Sequence, residues 1–215
     1  MSDSTAELVL DQPAEALDDS AKRRQIIEGA RTVFMARGFD AASMGDIAKA
    51  AGVSKGTLYV YFKSKEELFG AIVEQECYTH AEGAFLLDEN NHDVEAALTR
   101  VGEEFIGFLC TPQKAATVRI VIAIAERMPE IGKTFYETGP ANGIRRLASY
   151  LKAQVKAGIL TVEDCDVAAA QFLETCQATL FKPVLFNFGP PPSPERVAYV
   201  IGIAVRAFLA AYRVK

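Results

Sequence analysis

The pattern of apolar and polar positions along the chain predicts helices. From residue 19 to residue 212, apolar residues recur three and four positions apart, and the segments with this spacing end at glycine, asparagine or proline. The predicted helices span residues 20–37, 44–51, 55–62, 65–87, 93–110, 114–128, 142–157, 164–181 and 195–212, and 132–139 is a short helix or loop. The sequence therefore predicts an all-α fold.

Two of these helices are very short and follow each other closely. Ser43 and Asp46 have the spacing of a capping box, which begins the first helix, and Gly52 suits the left-handed residue that ends it. Ser54 is the next capping candidate, and Leu58 is the apolar residue that a second helix would turn inward. A small crossing residue, a glycine turn and a buried leucine are typical of a helix-turn-helix.

The outward face of the second short helix is polar and aromatic, with Lys55, Gly56, Thr57, Tyr59 and Tyr61. Ammonium, hydroxyl and phenol groups suit phosphates and base edges, and a glycine lets the backbone come close. Ser64 and Glu67 form another capping box, so a third helix begins near Lys65 with N–H groups that could also hold a phosphate. The alternative is an ordinary helical hairpin whose tyrosines cover the core.

Charge is unevenly distributed along the chain, whose pI is about 5.2. Residues 20–65 hold nine Lys/Arg and three Asp/Glu, a net charge of +6, whereas residues 1–19 carry −6 and residues 66–215 carry −5. The positive charge is thus concentrated in the segment that contains the two short helices. This distribution favours binding to nucleic acid in spite of the acidic total.

The stretch AGVSKGTLYVYF, within residues 50–62, and SKEEL at 64–68 resemble the TetR/AcrR family of transcriptional regulators, and the similarity runs from Arg24 to Phe69. Val60 stands where the family often has His or Arg. The resemblance implies a DNA-binding regulator, and it puts eight residues at the family's usual DNA-contacting positions: Ser43, Gly45, Lys55, Gly56, Thr57, Tyr59, Tyr61 and Lys65.

A second resemblance covers the later helices. The stretch AIAERMPEIGKTFYETGP at residues 123–140 is similar to the C-terminal domain of AefR-like regulators in the same family. The family resemblance implies a repressor that is released by a small-molecule effector. In a two-fold dimer the two reading helices would fit successive major grooves, which predicts a near-palindromic operator. No cofactor is expected.

Three regions follow from these patterns. Residues 1–19 form a disordered acidic tail, residues 20–65 the helix-turn-helix DNA-binding domain, and residues 66–215 a helical ligand-binding and dimerisation domain. The last helix is apolar around most of its girth and must be covered on two sides. We expect a second subunit to provide one cover, through the last two helices of each chain; the alternative is a helix buried within its own chain.

The effector pocket is expected among the helices of residues 66–158. Its candidate lining residues are Phe85, Phe105, Phe108, Cys110, Ile122, Phe135 and Tyr136. Residues of these types at these positions are more often simply part of the core. Many apolar candidates and few interior charges favour a hydrophobic or amphipathic effector.

Other function classes find little support in the sequence. There is no Gly-rich phosphate loop and no HExxH run, which argues against an enzyme. The cysteines, Cys77, Cys110, Cys165 and Cys176, lack the spacing of metal ligands and are expected to be small buried hydrophobes rather than redox sensors. With no apolar run of ~20 residues and no signal peptide, a cytoplasmic location is expected. The competing hypothesis is a helical protein-binding scaffold without sequence-specific DNA binding.

Overall fold

The computed structural model describes the backbone of residues 14–214 and the side chains of residues 20–75 and 85–214. Its helices are α1 (Ala14–Ala41), α2 (Met44–Ala50), α3 (Lys55–Tyr61), α4 (Lys65–Ala84), α5 (Val94–Leu109), α6 (Pro112–Ile124), α7 (Pro129–Thr138), α8 (Pro140–Lys156), α9 (Cys165–Cys176), α10 (Phe181–Leu185) and α11 (Pro194–Tyr212). Within these residues the only β pairing is a single bridge between Leu160 and Arg213. The predicted all-α fold is confirmed.

The chain divides into two compact units, one ending at Phe69 and the other beginning at Gly70. The division lies within α4, four residues beyond the boundary at residue 65 that the sequence suggested. Residues 14–19, which the sequence placed in the acidic tail, are helical and belong to α1. The rest of the predicted tail lies outside the described residues.

The first unit is built on α1, which packs against α2, and α2 in turn packs against α3. Ile26 and Ile27 are buried, as are Ile47 of α2 and Leu58 of α3. The regular helix stops at Gly38, where a φ of 74° suits glycine, as the sequence predicted. Three buried rings from both sides of this point close the core: Phe34 and Phe39 stack at 5.5 Å, and Phe69 meets both rings edge-on at 5.3 and 5.6 Å.

Both short helices begin at the serines that the sequence marked. Ser43 Oγ accepts the Asp46 N–H at 3.1 Å, and Ser54 Oγ accepts the Thr57 N–H at 3.0 Å. Between the helices Gly52 has a φ of 64°, a backbone conformation that is unfavourable for residues with a side chain. Local signals within four residues therefore define the helix-turn-helix.

The second unit is a bundle in which α8 packs against α7 and α9, and α11 packs against α5 and α9. Asp93 begins α5 by accepting the Ala96 N–H at 3.0 Å, and the predicted stripe of α5 is buried at Val94, Leu98 and Val101. Gly102 permits close packing of α5 on α11, since an added Cβ would lie 2.9 Å from Ile201 Cγ2.

Three segments differ from the prediction. Thr111 caps α6 and Pro112 occupies its first turn, so this helix begins two residues earlier than expected and ends at Ile124 instead of Met128. The buried residues of α6 lie on one side of the helix, and Ile122 on the other side is 64% exposed. α9 ends at Cys176, and α10 begins only after Thr179, which has a φ of 62°.

Candidate nucleic-acid interface and ligand cavity

Helix α3 has one buried and one exposed side. Leu58 is fully buried against the first unit's core, whereas Tyr59 is 51% exposed and Val60 is 82% exposed. An exposed tyrosine next to a buried leucine means that the polar face predicted from the sequence points to solvent. This face is free to meet a ligand as large as a DNA duplex.

Lys55 lies beside the start of α2. A Cβ added to Gly45 would be 3.1 Å from Lys55 Cε and 3.3 Å from its Nζ, and 3.7 Å from Ser43 Oγ. The structure thus brings Ser43, Gly45 and Lys55 together from two helices. The missing side chain at Gly45 leaves room for the lysine, which carries the group suited to a phosphate or a guanine edge.

The Ser43 side chain is exposed, and its hydroxyl is also hydrogen-bonded at the start of α2. Its hydroxyl donates to Asp46 Oδ2 at 2.6 Å, and Arg37 pairs with Asp46 Oδ1 at 3.0 Å. The hydrogen bond from Ser43, followed by the charge of Arg37, lowers the pKa of the Asp46 carboxyl. Asp46 therefore stays ionised and orients Ser43, which keeps the start of α2 ordered.

The remaining predicted residues on α3 are arranged around its cap. Thr57 Oγ1 lies 2.8 Å from Ser54 Oγ, and the nearest atom to an added Cβ on Gly56 is Ser54 Oγ at 3.7 Å. Gly56 is exposed, while Thr57 and Tyr61 are half-buried. Backbone at Gly56 is consequently accessible, and the two half-buried side chains lie at the margins of the exposed face.

Lys65 is placed differently from the other seven. Its ammonium donates to three backbone carbonyls, those of Phe39 at 3.0 Å, Asp40 at 3.2 Å and Ala42 at 3.3 Å. It also lies 4.7 Å from the centre of the Phe39 ring. The three donors of this ammonium are thus directed at the protein's own backbone, a contact over more than 20 residues of sequence that no local pattern indicates.

Arg23 of α1 contacts the residue at the end of α3. The Arg23 guanidinium lies 5.2 Å from the centre of the buried Phe62 ring. Phe62 is the residue that ends α3. Arg23 therefore makes a packing contact with the helix-turn-helix.

The second unit contains an apolar cavity of about 230 Å³. Its lining comes from six helices and the segments beside them: Phe85, Phe105, Phe108, Leu109, Lys114, Val118, Phe135, Gly139, Pro140, Gly143, Ile144, Ala170, Leu173, Glu174, Gln177 and Phe181. Aromatic rings form much of the wall. Such a cavity suits a small organic molecule.

The structure brings four of the seven predicted effector residues to this cavity, namely Phe85, Phe105, Phe108 and Phe135. The other three do not line it. Cys110 is buried elsewhere in the core, and Ile122 and Tyr136 are 64% and 58% exposed. Helical spacing alone did not indicate which side of α6 and α7 faces inward, so the sequence could not separate the residues that line this cavity from those on the surface.

The cavity also has polar lining residues that the sequence reading missed. Lys114 is only 5% exposed, and its Nζ lies 5.0 Å from the ring centre of Phe108 and 5.1 Å from that of Phe135. Glu174 and Gln177 of the α9 region complete the polar groups. In the sequence, the one indication of a polar group in this cavity was a lysine within the apolar run of α6.

The described cysteines have the properties of core residues. Cys110, Cys165 and Cys176 are free and buried. Burial raises the pKa of Cys110 to about 11 and that of Cys176 to about 12, so these thiols remain protonated at neutral pH and react slowly. Cys77 lies outside the described side chains. Among residues that are described, no group of three or more His, Cys, Asp or Glu could hold a metal ion.

No single helix in the described part of the chain is long and apolar enough to cross a membrane. Only α5 and α6 taken together meet that criterion, and the two helices are bent relative to each other by 71°.

A helix-turn-helix with an exposed second helix, followed by a helical unit around an apolar cavity, defines a DNA-binding transcription regulator. Two family models agree: bacterial regulatory proteins of the tetR family match residues 26–72, and the C-terminal domain of AefR-like transcriptional repressors matches residues 96–214. The chain belongs to the TetR family, whose members are transcriptional regulators and not enzymes.

Similar proteins extend over nearly the whole chain. The HTH-type transcriptional regulator YhgD of Bacillus subtilis (strain 168) is 26% identical over 88% of this chain and 97% of its own length. Among solved structures, the flavonoid-responsive regulator FrrA is 32% identical over 91% of this chain and 99% of its own, with a TM-score of 0.77. A TetR-family regulator from Mesorhizobium loti MAFF303099 is 28% identical, covers 91% and 98%, and has a TM-score of 0.84.

Proposed function

We propose that this protein is a ligand-responsive repressor that binds a near-palindromic operator as a homodimer and leaves it when a small hydrophobic or amphipathic effector binds. The observation that carries the proposal is the exposed face of α3, with Tyr59 on the surface beside the fully buried Leu58. Because the operator is DNA, the proposed place of action is the cytoplasm.

The proposed DNA contacts come from the face that α2 and α3 share. They are Ser43, Gly45, Lys55, Gly56, Thr57, Tyr59 and Tyr61. Support comes from the net charge of +6 over residues 20–65 and from the pairing of two of its three acids with Arg31 and Arg37. Paired acids repel phosphates less, so the excess of cations dominates the field near the duplex.

The proposed dimer forms through α9 and α11. On α11, Val200, Ile201 and Ala204 are buried within the chain, whereas Tyr199 and Ile203 on the same helix are exposed. These apolar side chains, together with exposed small residues of α11, are suited to a second copy. Ala168 and Ala169 of α9 are buried in the chain's own core.

We expect light scattering at micromolar concentration to give the mass of two chains. Ile203→Glu should lower this mass toward that of one chain, because it places a charge in an apolar contact, while Thr161→Glu, at an exposed position in a loop, should leave the mass unchanged. A single-chain mass for the wild-type protein would contradict the proposed dimer.

The apolar cavity is the proposed effector site. Five phenylalanines in its wall favour a hydrophobic body, and a relative of 32% identity is described as flavonoid-responsive. An effector releases DNA if it binds more tightly to a conformation in which the two reading helices are wrongly spaced for successive major grooves. A differential affinity of about 1.4 kcal/mol changes the balance between two conformations tenfold.

The proposal is tested by gel shift with the DNA that flanks the protein's own coding region, at several salt concentrations and with competitor DNA. The wild-type protein should give a discrete complex that resists competitor and weakens steeply with salt. The double variant Lys55→Ala, Tyr59→Ala should lose this complex at least a hundredfold, because it removes base-edge and phosphate contacts from each copy, while its helical circular dichroism stays unchanged.

Lys133→Ala is the matched control, since it removes one positive charge from an exposed position of α7. It should bind DNA like the wild-type protein. If the double variant and the wild-type protein bind DNA equally well, or if neither binds any DNA at low salt, the helix-turn-helix is not a DNA reader and the scaffold hypothesis is favoured.

A further inference from the structure

We infer that Val60 determines part of the sequence specificity, by contacting the 5-methyl group of a thymine in the major groove of the operator. This inference rests on the proposed function, because it adds a specificity-determining residue to the proposed DNA-binding face. Three properties of Val60 support it: its exposure, its direction relative to the core, and the residues on either side of it.

Val60 is the most exposed large apolar residue in the part of the first unit that the structure describes. Its exposed fraction is 82%, against 51% for Tyr59 and 39% for Met35. Valine is also a weaker helix former than alanine, because its branched side chain loses rotational freedom in a helix. Val60 therefore contributes little to the stability of α3. Single exposed valines are ordinary on protein surfaces, so the place of Val60 on the helix decides what it can contact.

Val60 points directly away from the core of the first unit. Leu58, which is fully buried, marks the side of α3 that faces the core. Successive residues of an α-helix are rotated by about 100°, so Val60 lies about 160° from Leu58 around the helix axis. Gly56 lies about 160° from Leu58 in the opposite sense, which leaves Gly56 and Val60 about 40° apart on the outward face. These two residues form the centre of that face.

Gly56 leaves room for a duplex beside Val60. Among the described residues, only Ser54 Oγ, at 3.7 Å, lies within 4 Å of a Cβ added to Gly56. A base pair can therefore come close to the backbone one turn before Val60. The two residues are about 6 Å apart along the axis of α3. Because the major groove is about 12 Å wide, both fit within it when α3 lies in the groove.

Polar side chains lie on both sides of this outward face. Lys55 and Tyr59 lie on one side of it. Thr57 and Tyr61 lie on the other side. Ammonium and hydroxyl groups in such flanking positions suit the phosphates along the two walls of the groove, and the net charge of +6 in the predicted DNA-binding domain attracts those phosphates. The central side chain, that of Val60, is then left facing the base edges.

The chemistry of valine selects a thymine. Its side chain neither donates nor accepts a hydrogen bond, and the 5-methyl group of thymine is the apolar group that a base pair presents in the major groove. Contact between the two removes apolar surface from water. Over the other bases Val60 would cover donors or acceptors without pairing them, which costs binding free energy. Val60 therefore favours a T·A or an A·T pair at the position that it meets.

Removal of a single methyl group from the DNA tests this contact. Selection from a pool of random duplexes with the full-length wild-type protein first defines the bound sequence. Each thymine of that sequence is then replaced, in both half-sites, by deoxyuridine, which lacks only the 5-methyl group, and gel shift gives each Kd. At one position the affinity should fall about tenfold, since burying one methyl group is worth about three- to fourfold in each half-site.

The variant Val60→Ala connects that methyl group to Val60. It should bind the thymine operator about tenfold more weakly than the wild-type protein, and the two operators should differ less than about twofold in their affinity for it. Alanine at this exposed helical position should leave the circular dichroism unchanged. Val214→Ala is the matched control, because it makes the same change at an exposed position beyond α11. It should keep both the affinity and the sensitivity to deoxyuridine.

The inference and the proposed function fail in different ways. If the wild-type protein selects a sequence but no deoxyuridine weakens its binding by more than about twofold, the contact is wrong and the regulatory proposal stands. The same holds if Val60→Ala keeps the full sensitivity to deoxyuridine. If the wild-type protein enriches no sequence from the pool, the sequence-specific regulator and the role of Val60 are both wrong.

Discussion

Replacing Gly29 by alanine is expected to disrupt the helix-turn-helix. A Cβ at this position would lie 2.6 Å from both the Cα and the N of Ala51, and 2.7 Å from its Cβ. Two of these three atoms are backbone, so the clash cannot be relieved by turning a side chain. Gln25 Nε2 also donates to the Ala51 carbonyl at 2.6 Å, which holds the end of α2 against α1 at the same place.

The expected cost of Gly29→Ala is about 2–3 kcal/mol in the free energy of unfolding. Overpacking typically costs about 1–3 kcal/mol, and the backbone atoms in this clash put the cost at the upper end. Moving the end of α2 also displaces the turn at Gly52 and with it α3. DNA affinity should therefore fall at least tenfold. Urea denaturation and the gel shift measure the two effects.

Gly107→Ala is the matched control for this change. Gly107 lies within α5, is exposed, and has no atom within 4 Å of an added Cβ. Alanine in an exposed helical position is more favourable than glycine by roughly 0.5–1 kcal/mol, so this variant should be slightly stabilised and bind DNA normally. Equal stabilities of the Gly29 and Gly107 variants would show that α1 and α2 do not approach each other this closely.

Replacing Lys65 by methionine is expected to weaken DNA binding without changing its dependence on salt. The ammonium of Lys65 joins the start of α4 to the carbonyls of Phe39, Asp40 and Ala42, beyond the end of the regular part of α1. Its loss leaves these carbonyls without their charged donor. We expect a loss of about 1–2 kcal/mol in stability, because hydrogen bonds to a charged group are stronger than neutral ones and this one is half-buried.

The salt dependence separates positioning from contact. A lysine that neutralises a phosphate contributes about 0.9 to the slope of log K against log salt, and removing it lowers the slope by that amount for each copy bound. Lys55→Met should lower the slope in this way and leave the stability within about 0.5 kcal/mol. Lys65→Met should lower the affinity and the stability but keep the slope. If its slope falls as that of Lys55→Met does, Lys65 contacts a phosphate, as the sequence resemblance suggested.

Local signals were sufficient to predict most helix boundaries. Ser43, Ser54 and Asp93 each accept the N–H of a residue three positions later, and the helices begin where these side chains indicated. Gly38 and Gly52 have positive φ angles at the predicted helix ends. These interactions connect residues that are close in sequence, so their geometry depends little on the rest of the fold.

The helix-turn-helix face was also accessible from sequence. Leu58 alternates with polar and aromatic neighbours at a spacing that leaves only one side for the core, and in the structure it is fully buried while Tyr59 is exposed. A helix of seven residues with a single large apolar anchor has no second way to pack. The sequence by itself thus determined the all-α class, the helix caps and the exposed side of α3.

Only the tertiary structure decided which side of the longer, more apolar helices faces inward. Ile122 and Tyr136 satisfied the same apolar criterion as Phe108 and Phe135 but are exposed, because the side buried in each helix depends on neighbours far away in sequence. The contact of Lys65 with Phe39 and the position of Lys114 between two rings have the same origin. Helical periodicity restricts which residues can share a face, whereas packing against distant helices selects the face that becomes core, cavity or surface.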